Sequence, residues 1–528
     1  MFDAGVGKVM AQQSNDVYAA LALSRFGLGA DHNGTTSIAS DPRGALLEEI
    51  TERFVPVPVG PQLQSTADLL VSLYAFQEQR KEARQQAAAA VAAVPQDKQM
   101  QGPQPPQKPP VQPPGAMPGQ QNNQAMATQP TNQAPPNNQA MAAAIGKAVE
   151  KLEKPTMPYL PQQILLAEVD ARFNGTIRQP LIGFGERLAM FWANHFAVAV
   201  SKSEEVHIVA GAFEREAIRP HVFGRFADML LAVETHPAML AYLDNQQSIG
   251  PNSKANASKK RGLNENLARE TLELHTLGVN GGYTQTDVTT LAKIITGWTV
   301  ARADGKLGAP GTFVFNAGAH EPGDQTLLGL TYADNGVGQG REALRDLARH
   351  PATAQHIATK LVRHFVADTP PPGLVQTVAA TFSKTDGDLS AVYRALVSSE
   401  DAWNPTLSKV RSPLEFMTAL LRASGETPKP NVILGALTAM GQPFWAPAGP
   451  NGFADTADVW ASSESLSMRM DVANMIANAV PPQVDPRSFV SDNLGPLLSN
   501  ETLQAVSRAE TRKQGLTIAY LSPEFQRR

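Results

Sequence analysis

The sequence predicts an all-α protein, a globular assembly of many helices with at most a small β-hairpin and one long disordered insert. Apolar residues recur at three- and four-residue spacing over most of the 528 residues, which is the periodicity of amphipathic helices. Few segments alternate with period two, and the short runs at 312–315 and 325–330 are the strand candidates. We expect these two runs to form one small hairpin.

The insert is predicted from composition. From about residue 87 to residue 156 the chain is rich in Pro, Gln and Ala, and twelve prolines lie between Pro95 and Pro136. A hexapeptide, Asn-Asn-Gln-Ala-Met-Ala, occurs twice, at 122–127 and 137–142. Such a low-complexity stretch buries too little apolar surface to offset its chain entropy, so we expect it to be disordered.

The insert divides the chain into three parts. Residues 1–86 are predicted to form an amino-terminal helical layer, and residues 157–528 the main helical domain. Because single cores rarely exceed roughly 250–300 residues, the chain could hold one large core or two ordinary ones. We expect the layer and the main domain to pack together as one unit.

Composition excludes several functions. The net charge of −4 gives no field that would draw the protein to nucleic acid, so a nucleic-acid partner is not expected. The absence of cysteine excludes disulfides, thiolate metal sites and a cysteine nucleophile. The amino terminus shows no recognisable signal peptide and no apolar run is long enough to span a membrane. A cytoplasmic location is the default expectation, with the periplasm as an alternative.

One helical segment, 264–278, carries the densest cluster of polar residues. On a helical wheel Asn266, Arg269, Glu270 and Glu273 share one face, whereas His275 points to the opposite side. Arg269 and Glu273 are four residues apart, a spacing at which they can pair. Two carboxylates one turn apart suit general acid–base chemistry or a divalent cation, and an ordinary solvated or ion-paired helix face explains the same residues.

Other candidates lie outside this segment. His195 follows Asn194 in an apolar helical pattern and needs a hydrogen-bond partner, whereas His320 lies in a predicted loop. Trp298 ends the next predicted helix, 284–298, which the tight turn before it folds back against the polar segment. The phosphate-binding loop, the dinucleotide fingerprint, His-Glu-x-x-His and Gly-x-Ser-x-Gly are all absent from the sequence.

Several stretches together resemble the bacterial domain-of-unknown-function family numbered 1800 (DUF1800). They are Ala20–Ala30, Phe191–Phe196, Asn264–Gly278, Gly281–Thr284, Thr296–Trp298, His350–Ala354, Lys360–Phe365, Trp460, Arg469 and Leu521–Arg528. The family commonly has His-Asp followed by a lysine where this chain has His320, Glu321 and then Gln325. The resemblance implies a fold rather than a mechanism, and it implies a phosphatase- or sulfatase-like exported protein encoded nearby as a partner.

Two functional hypotheses follow. In the first, the chain is an enzyme, a hydrolase or lyase with a helical cleft for a polar or anionic substrate. Glu270 or Glu273 would be the general base or the ligand of a divalent cation, Arg269 would hold the substrate and His320 would be the acid. The substrate would contact Asn194, His195, Asn266 and Trp298. In the second, the chain is a non-catalytic partner or assembly factor of the neighbouring protein.

Overall fold

The computed structural model of the chain describes residues 15–31, 34–92, 158–177, 182–257 and 262–528. Most of the predicted insert, residues 93–156, lies outside the described residues. Its predicted first residues, 87–92, are instead the end of the helix Thr66–Ala92. Alanine has the highest helix propensity, which explains why the run of alanines prolongs this helix beyond the predicted end at 86.

Helices dominate the described residues and confirm the all-α prediction. Residues 15–21 are helical and continue into a π-helical turn. The remaining α-helices are Pro42–Glu52, Thr66–Ala92, Leu160–Ile177, Phe184–His195, Glu204–Phe213, Phe226–Glu234, Pro237–Tyr242, Asn266–Glu270, Gln285–Ile294, Val337–Arg349, Pro351–Phe365, Pro372–Lys384, Leu389–Ser398, Pro413–Ser424, Pro430–Ala439, Ala457–Trp460, Ser463–Ala479, Pro486–Leu494, Asn500–Ser507, Arg512–Leu521 and Pro523–Gln526. None of these described helices is long and apolar enough to cross a membrane.

Wider turns interrupt the helical pattern at three places in the described chain. The π-helical turns are Ala22–Phe26, Glu214–Ile218 and Thr271–His275. The helical spacing of apolar residues runs from 204 to 231, but the helix is divided at the second of these turns, because Pro220 follows it and lacks the N–H that a continuing helix needs. π-turns are frequent at functional sites, and the third lies within the polar segment.

Two hairpins replace the single predicted one. Strand β1 (Trp298–Val300) pairs with β2 (Phe313–Phe315), and β3 (Gln325–Leu327) pairs with β4 (Leu330–Tyr332), both antiparallel. Leu328 and Gly329 have φ of 49° and 81°, the conformation of the two-residue turn that closes a tight hairpin. This local turn explains why the run at 325–330 pairs within itself and not with the run at 312–315.

Trp298 therefore begins a strand rather than ending a helix. The preceding helix ends at Ile294, and Gly297 has a φ of 82°, a left-handed conformation that favours glycine. The backbone reverses there and carries the indole of Trp298 into the core.

The apolar side chains form two clusters. The larger one contains the aromatic side chains of Phe26, Phe184, Trp192, Tyr393 and Trp403, and Phe26 contacts both Phe184 and Trp403. The smaller cluster joins helices Leu160–Ile177, Pro413–Ser424, Ser463–Ala479 and Arg512–Leu521. Both belong to one compact unit, residues 1–76 and 160–528. The described residues 77–92 and 158–159 lie outside this unit.

Candidate functional site

A cavity of about 300 Å³ lies where the two apolar clusters meet. Phe191 of the larger cluster and Phe444 of the smaller one both line it. The helices Phe184–His195 and Pro351–Phe365, the start of Pro413–Ser424 and the loop 442–456 provide its other walls. This volume is at the lower end of the range for small-molecule sites, so the cavity suits a small ligand.

Two cations on one helix face the cavity. Lys360 and Arg363 are three residues apart on Pro351–Phe365 and therefore neighbours on its surface. Arg363 donates from Nε to the carbonyl oxygen of Asp368 (3.3 Å). Within the described ranges, no carboxylate forms an ion pair with either side chain. The cavity wall thus holds two basic side chains that have no carboxylate partner in the described part of the chain.

Lys360 is a partly buried lysine with an unusual titration. Burial lowers its pKa from 10.5 to about 8, the charge of Asp455 opposes this change and the charge of Arg363 adds to it. Close to physiological pH, Lys360 is consequently a neutral amine in a substantial fraction of the protein molecules.

The first acid in the cavity wall, Glu214, is ion-paired with two arginines of the protein. Its carboxylate accepts from Arg172 and forms an ion pair with Arg219 (2.6 Å), and Glu186 bridges the same two arginines. Burial opposes ionisation, but these arginines lower the pKa of Glu214 below its ordinary value. All four side chains are buried and form a closed network, in which removing one charge would leave its partner uncompensated.

The second acid, Glu415, is similarly enclosed. Its Oε1 lies 2.6 Å from Nη2 of Arg187 and 2.9 Å from Nη2 of Arg528, and Nε of Arg528 donates to Oε2 (3.0 Å). Although burial favours the neutral acid, Arg187 and Arg528 hold the pKa of Glu415 well below its usual range. Glu415 is therefore a permanent anion already neutralised by two arginines.

The third acid, Asp455, is paired with His364 and Lys409. Its Oδ2 lies 2.9 Å from Nδ1 of His364, and its Oδ1 lies 3.4 Å from Nζ of Lys409. Burial lowers the pKa of His364 to about 4 despite the attraction of Asp455, and Nε2 of His364 accepts from Nε of Arg187 (3.2 Å). Both ring nitrogens of His364 are occupied, which leaves no free nitrogen for a ligand.

His195 differs from His364 in having one free nitrogen. Its Nε2 lies 3.2 Å from the carbonyl oxygen of His275, and a carbonyl only accepts, so Nε2 carries the proton. Nδ1 is then an unprotonated acceptor, and it is buried without a hydrogen-bond partner among the described residues. Burial, followed by the charge of Lys360, holds the pKa of His195 well below 6.5.

Asn194, next to His195, positions the loop that closes the cavity. Its Nδ2 donates to the carbonyl oxygen of Phe453 (2.9 Å), and its Oδ1 accepts from the backbone N–H of the same residue (2.8 Å). Gly452, with a φ of 73°, lies so close that a β-carbon would meet the backbone of Asn194. Both the nitrogen and the oxygen of the Asn194 side-chain amide therefore bind the backbone of Phe453.

The side chains of the polar segment singled out from the sequence do not line the cavity. Arg269 donates to Glu265 (3.1 Å) and Gln285 (3.0 Å) and does not pair with Glu273. The π-turn that begins at Thr271 changes the helical register between Arg269 and Glu273. Glu265 lies four residues before Arg269, which is the favoured order for an acid and a base on a helix. The expected Arg269–Glu273 pair is therefore wrong.

The two carboxylates of this segment have few partners. Glu273 accepts from the hydroxyl of Tyr283 (3.2 Å), whereas Glu270 forms no ion pair with any residue that the structure describes. Burial, with the charge of Glu273 acting in the same direction and that of His275 against it, raises the pKa of Glu270. Asn266 is exposed.

His275 points away from these carboxylates, as the helical wheel predicts. It is fully buried, and its Nδ1 lies 2.7 Å from Oε1 of Glu234, which is buried as well. Its carbonyl oxygen contacts His195, and the carbonyl of Leu274 accepts from Nε2 of His356 (3.1 Å). The backbone end of the polar segment therefore joins the helices that carry the cavity.

His320 and Trp298 lie at the first hairpin, where Trp298 begins β1 and the ring of His320 packs against Phe315 of β2. Nδ1 of His320 lies 3.0 Å from the carbonyl oxygen of Thr296, and Nε2 lies 3.6 Å from Oδ1 of Asp334. The indole of Trp298 packs at an edge against Phe313. No hydrogen bond or ion pair in the described chain joins His320 to Glu270 or Glu273, and neither His320 nor Trp298 lines the cavity.

Metal binding finds no support in side-chain geometry. Among the described residues, no group of three or more His, Asp or Glu side chains is arranged to hold a metal ion. Glu270 and Glu273 together supply two carboxylates without a third ligand, so the divalent cation stays a prediction.

Sequence reasoning missed Lys360, Arg363, His364 and Asp455 as site residues. A signal was present, because three cationic or titratable side chains at i, i+3 and i+4 lie on one side of the helix Pro351–Phe365, which is otherwise amphipathic and largely buried. Asp455 lies in a loop, and nothing in its local sequence indicates that it meets this helix.

The comparisons with known proteins agree with the resemblance noted from the motifs. No curated protein and no solved structure matches the chain. A family model described as "Protein of unknown function (DUF1800)" matches residues 21–527, nearly the whole chain. The chain therefore belongs to the DUF1800 family.

Proposed function

We propose that the chain is an enzyme, a hydrolase or lyase, that acts on a small anionic substrate in the cavity beside Lys360 and Arg363. The observation that carries this proposal is the imbalance of the cavity wall. Its acids are neutralised by cations of the protein, whereas two of its cations have no carboxylate partner in the described chain. An anionic ligand would supply the missing negative charge.

The carboxylate of the substrate suits Arg363 and Lys360 together. Nε of Arg363 is held by the backbone of Asp368, so the planar end of the guanidinium can present two parallel N–H groups to a carboxylate. The small volume of the cavity admits only a small molecule, so a polymeric substrate would not fit inside it.

His195 is the proposed general base. The carbonyl of His275 fixes the proton on Nε2, and Nδ1 is left buried without a hydrogen-bond partner among the described residues. Burial holds the pKa of His195 well below 6.5, so its imidazole is neutral at physiological pH, and Nδ1 is the atom that would take a proton in the reaction. Asn194 is proposed as a positioning residue, since it holds the backbone at Phe453.

The proposal is tested by ligand-dependent thermal melting. Wild-type protein is compared in acetate, succinate and phosphate against sodium chloride of equal ionic strength. We expect acetate or succinate to raise the melting temperature in a saturable manner, because a ligand of the native state stabilises it by mass action. Lys360→Met and Arg363→Met should bind at least about tenfold more weakly, the loss of one charged contact.

Exposed residues provide matched controls. Lys384→Met and Arg345→Met remove the same charges from the surface and should leave the response unchanged. Equal stabilisation of wild type, Lys360→Met and Arg363→Met by the carboxylates would contradict the proposal, as would the same response to chloride alone.

The alternative is a non-catalytic partner or assembly factor of the phosphatase- or sulfatase-like protein that the family resemblance implies. Val279 favours it, because this apolar side chain is 66% exposed just beyond the polar helix. Co-purification of both proteins from cells that express them tests this function. A stable complex that Val279→Ser disrupts would support it, and separate elution of the two proteins would argue against it.

A further inference from the structure

We infer that Lys360 is a nucleophile that forms a Schiff base with its substrate. This inference rests on the proposed function and narrows its substrate class to small carbonyl compounds that also carry a carboxylate, such as 2-oxo acids. The juxtaposition that supports it is three residues that line one small cavity: Lys360, whose amine has no ion-pair partner in the described chain, Arg363, and His195, whose buried Nδ1 has no hydrogen-bond partner there.

A second lysine nearby shows what a structural role looks like in the same surroundings. Lys409 is buried, and its Nζ binds Oδ1 of Asp368 (2.6 Å) and the carbonyl oxygen of Asp455 (2.8 Å). Lys360 has no such partner in the described ranges. It lines the cavity, and Lys409 does not line it. Packing and ion pairing therefore account for Lys409 and leave Lys360 free for chemistry.

The amine of Lys360 is also available in its reactive form. Only an unprotonated amine attacks a carbonyl, and burial together with Arg363 brings the pKa of Lys360 to about 8. An exposed lysine keeps a pKa near 10.4, so at neutral pH the fraction of neutral amine is on the order of 100-fold larger at Lys360.

The spacing of the two cations fits a compound with adjacent carboxylate and carbonyl groups. Side chains three residues apart on a helix have β-carbons about 5–6 Å apart. If Arg363 binds the carboxylate, the neighbouring carbonyl carbon comes within reach of Nζ of Lys360. The guanidinium then serves twice, since it orients the substrate and lowers the pKa of the amine.

The reaction balances without an oxidant or reductant. The nitrogen lone pair attacks the carbonyl carbon and forms a C–N bond, and Nδ1 of His195 takes one proton from the nitrogen and delivers it to the oxygen. The second proton follows, the C–O bond breaks and the oxygen leaves as water. A C=N bond has replaced C=O, and the imine can withdraw electrons from a neighbouring bond, as a lyase requires.

Reductive trapping tests the inference on the full chain. The protein is incubated with pyruvate and sodium cyanoborohydride, which reduces an imine to a stable secondary amine, and the modified lysine is located by peptide mass spectrometry. We expect one adduct, at Lys360, with a trapping rate that reaches half its maximum at about pH 8. Acetate, which has the carboxylate but no carbonyl, should slow the trapping by competition.

Lys360→Arg separates this inference from the proposed function. The variant keeps the positive charge but cannot form an imine, so it should still melt at a higher temperature in acetate while losing the adduct. Modification of exposed Lys384 as fast as Lys360, or no adduct at Lys360, would overturn the Schiff base even if acetate still binds. An adduct at Lys360 without any stabilisation by acetate would uphold the nucleophile and overturn the anion site. The protection of wild-type Lys360 by acetate needs no variant and decides the question if Lys360→Arg fails to fold.

Discussion

The polar segment 264–278 and the cavity beside Lys360 differ in how their charged residues are brought together. The segment has the denser cluster of charged residues in sequence, yet Arg269 pairs with Glu265 at a partly exposed surface. The cavity draws its polar residues from distant parts of the chain and encloses them. Enclosure decides the strength of an electrostatic interaction, because water screens charges at a surface and cannot do so in a small buried space.

The cavity itself contains a second contrast. Glu415 is a buried acid held between two arginines, whereas Lys360 is a partly buried amine without a counter-ion in the described chain. The first arrangement stabilises the fold once the charges are buried, and the second carries an uncompensated electrostatic cost. Uncompensated cost of this kind is characteristic of functional sites.

The largest expected effect on stability comes from removing the charge of Glu415, which is paired with Arg187 and Arg528. Glu415→Gln should lower the free energy of unfolding by roughly 3–5 kcal/mol, because Arg187 and Arg528 lose the carboxylate that neutralises them. Denaturant unfolding at neutral pH measures the loss, and Glu510→Gln, at an exposed acid, is the control.

The same variant has a predicted pH dependence. The pKa of Glu415 is lower in the folded chain than its ordinary 4.5, so its stabilisation is complete above that value and disappears as the pH falls through the folded pKa. The difference between wild type and Glu415→Gln should therefore shrink in acid. A constant difference would show that the carboxylate charge is not what stabilises the fold.

The next effect has the opposite sign. Lys360→Met should raise the free energy of unfolding at neutral pH by about 2 kcal/mol, since a pKa shift of one unit corresponds to about 1.4 kcal/mol and partial exposure reduces the benefit. The folded pKa of about 8 lies below the ordinary 10.5, so the gain is full below about 8 and vanishes as the pH rises to 10.5. A loss of stability at neutral pH would mean that Lys360 has a structural partner.

A smaller gain is expected in the polar segment. The pKa of Glu270 is raised mainly by burial, so its charged form is disfavoured in the folded chain above the ordinary value of 4.5. Glu270→Gln should therefore stabilise the protein slightly at neutral pH, by less than about 1 kcal/mol, and the gain should disappear in acid. A loss of several kcal/mol in a chemical melt would instead reveal a buried network around Glu270.

The smallest effect belongs to Arg269. Arg269→Ala should change stability by at most about 0.5 kcal/mol, because its pair with Glu265 is partly exposed on both sides. High salt should remove even this difference, since it screens surface charges. A change above 1 kcal/mol that persists in high salt would place Arg269 among the structural residues and end the contrast with Glu415.

The sequence alone determined the helical class and the local ends of several elements. Apolar spacing predicts helices that the structure confirms, such as Pro351–Phe365 and Ser463–Ala479. Thr284 and Asp287, which are three residues apart, form a reciprocal capping box at the start of the helix Gln285–Ile294. These features depend on neighbours three or four residues away, and a sequence displays such neighbours directly.

Only the tertiary structure decided which polar residues meet. Asp455 lies 91 residues after His364, and Glu415 lies 113 residues before Arg528, yet each pair is in direct contact. The helical wheel could place Glu270 and Glu273 on one face, but it could not show that Lys360 has no ion-pair partner among the described residues while Lys409 has two partners. Whether a charge is neutralised depends on side chains that packing brings from distant segments, and local periodicity holds no record of them.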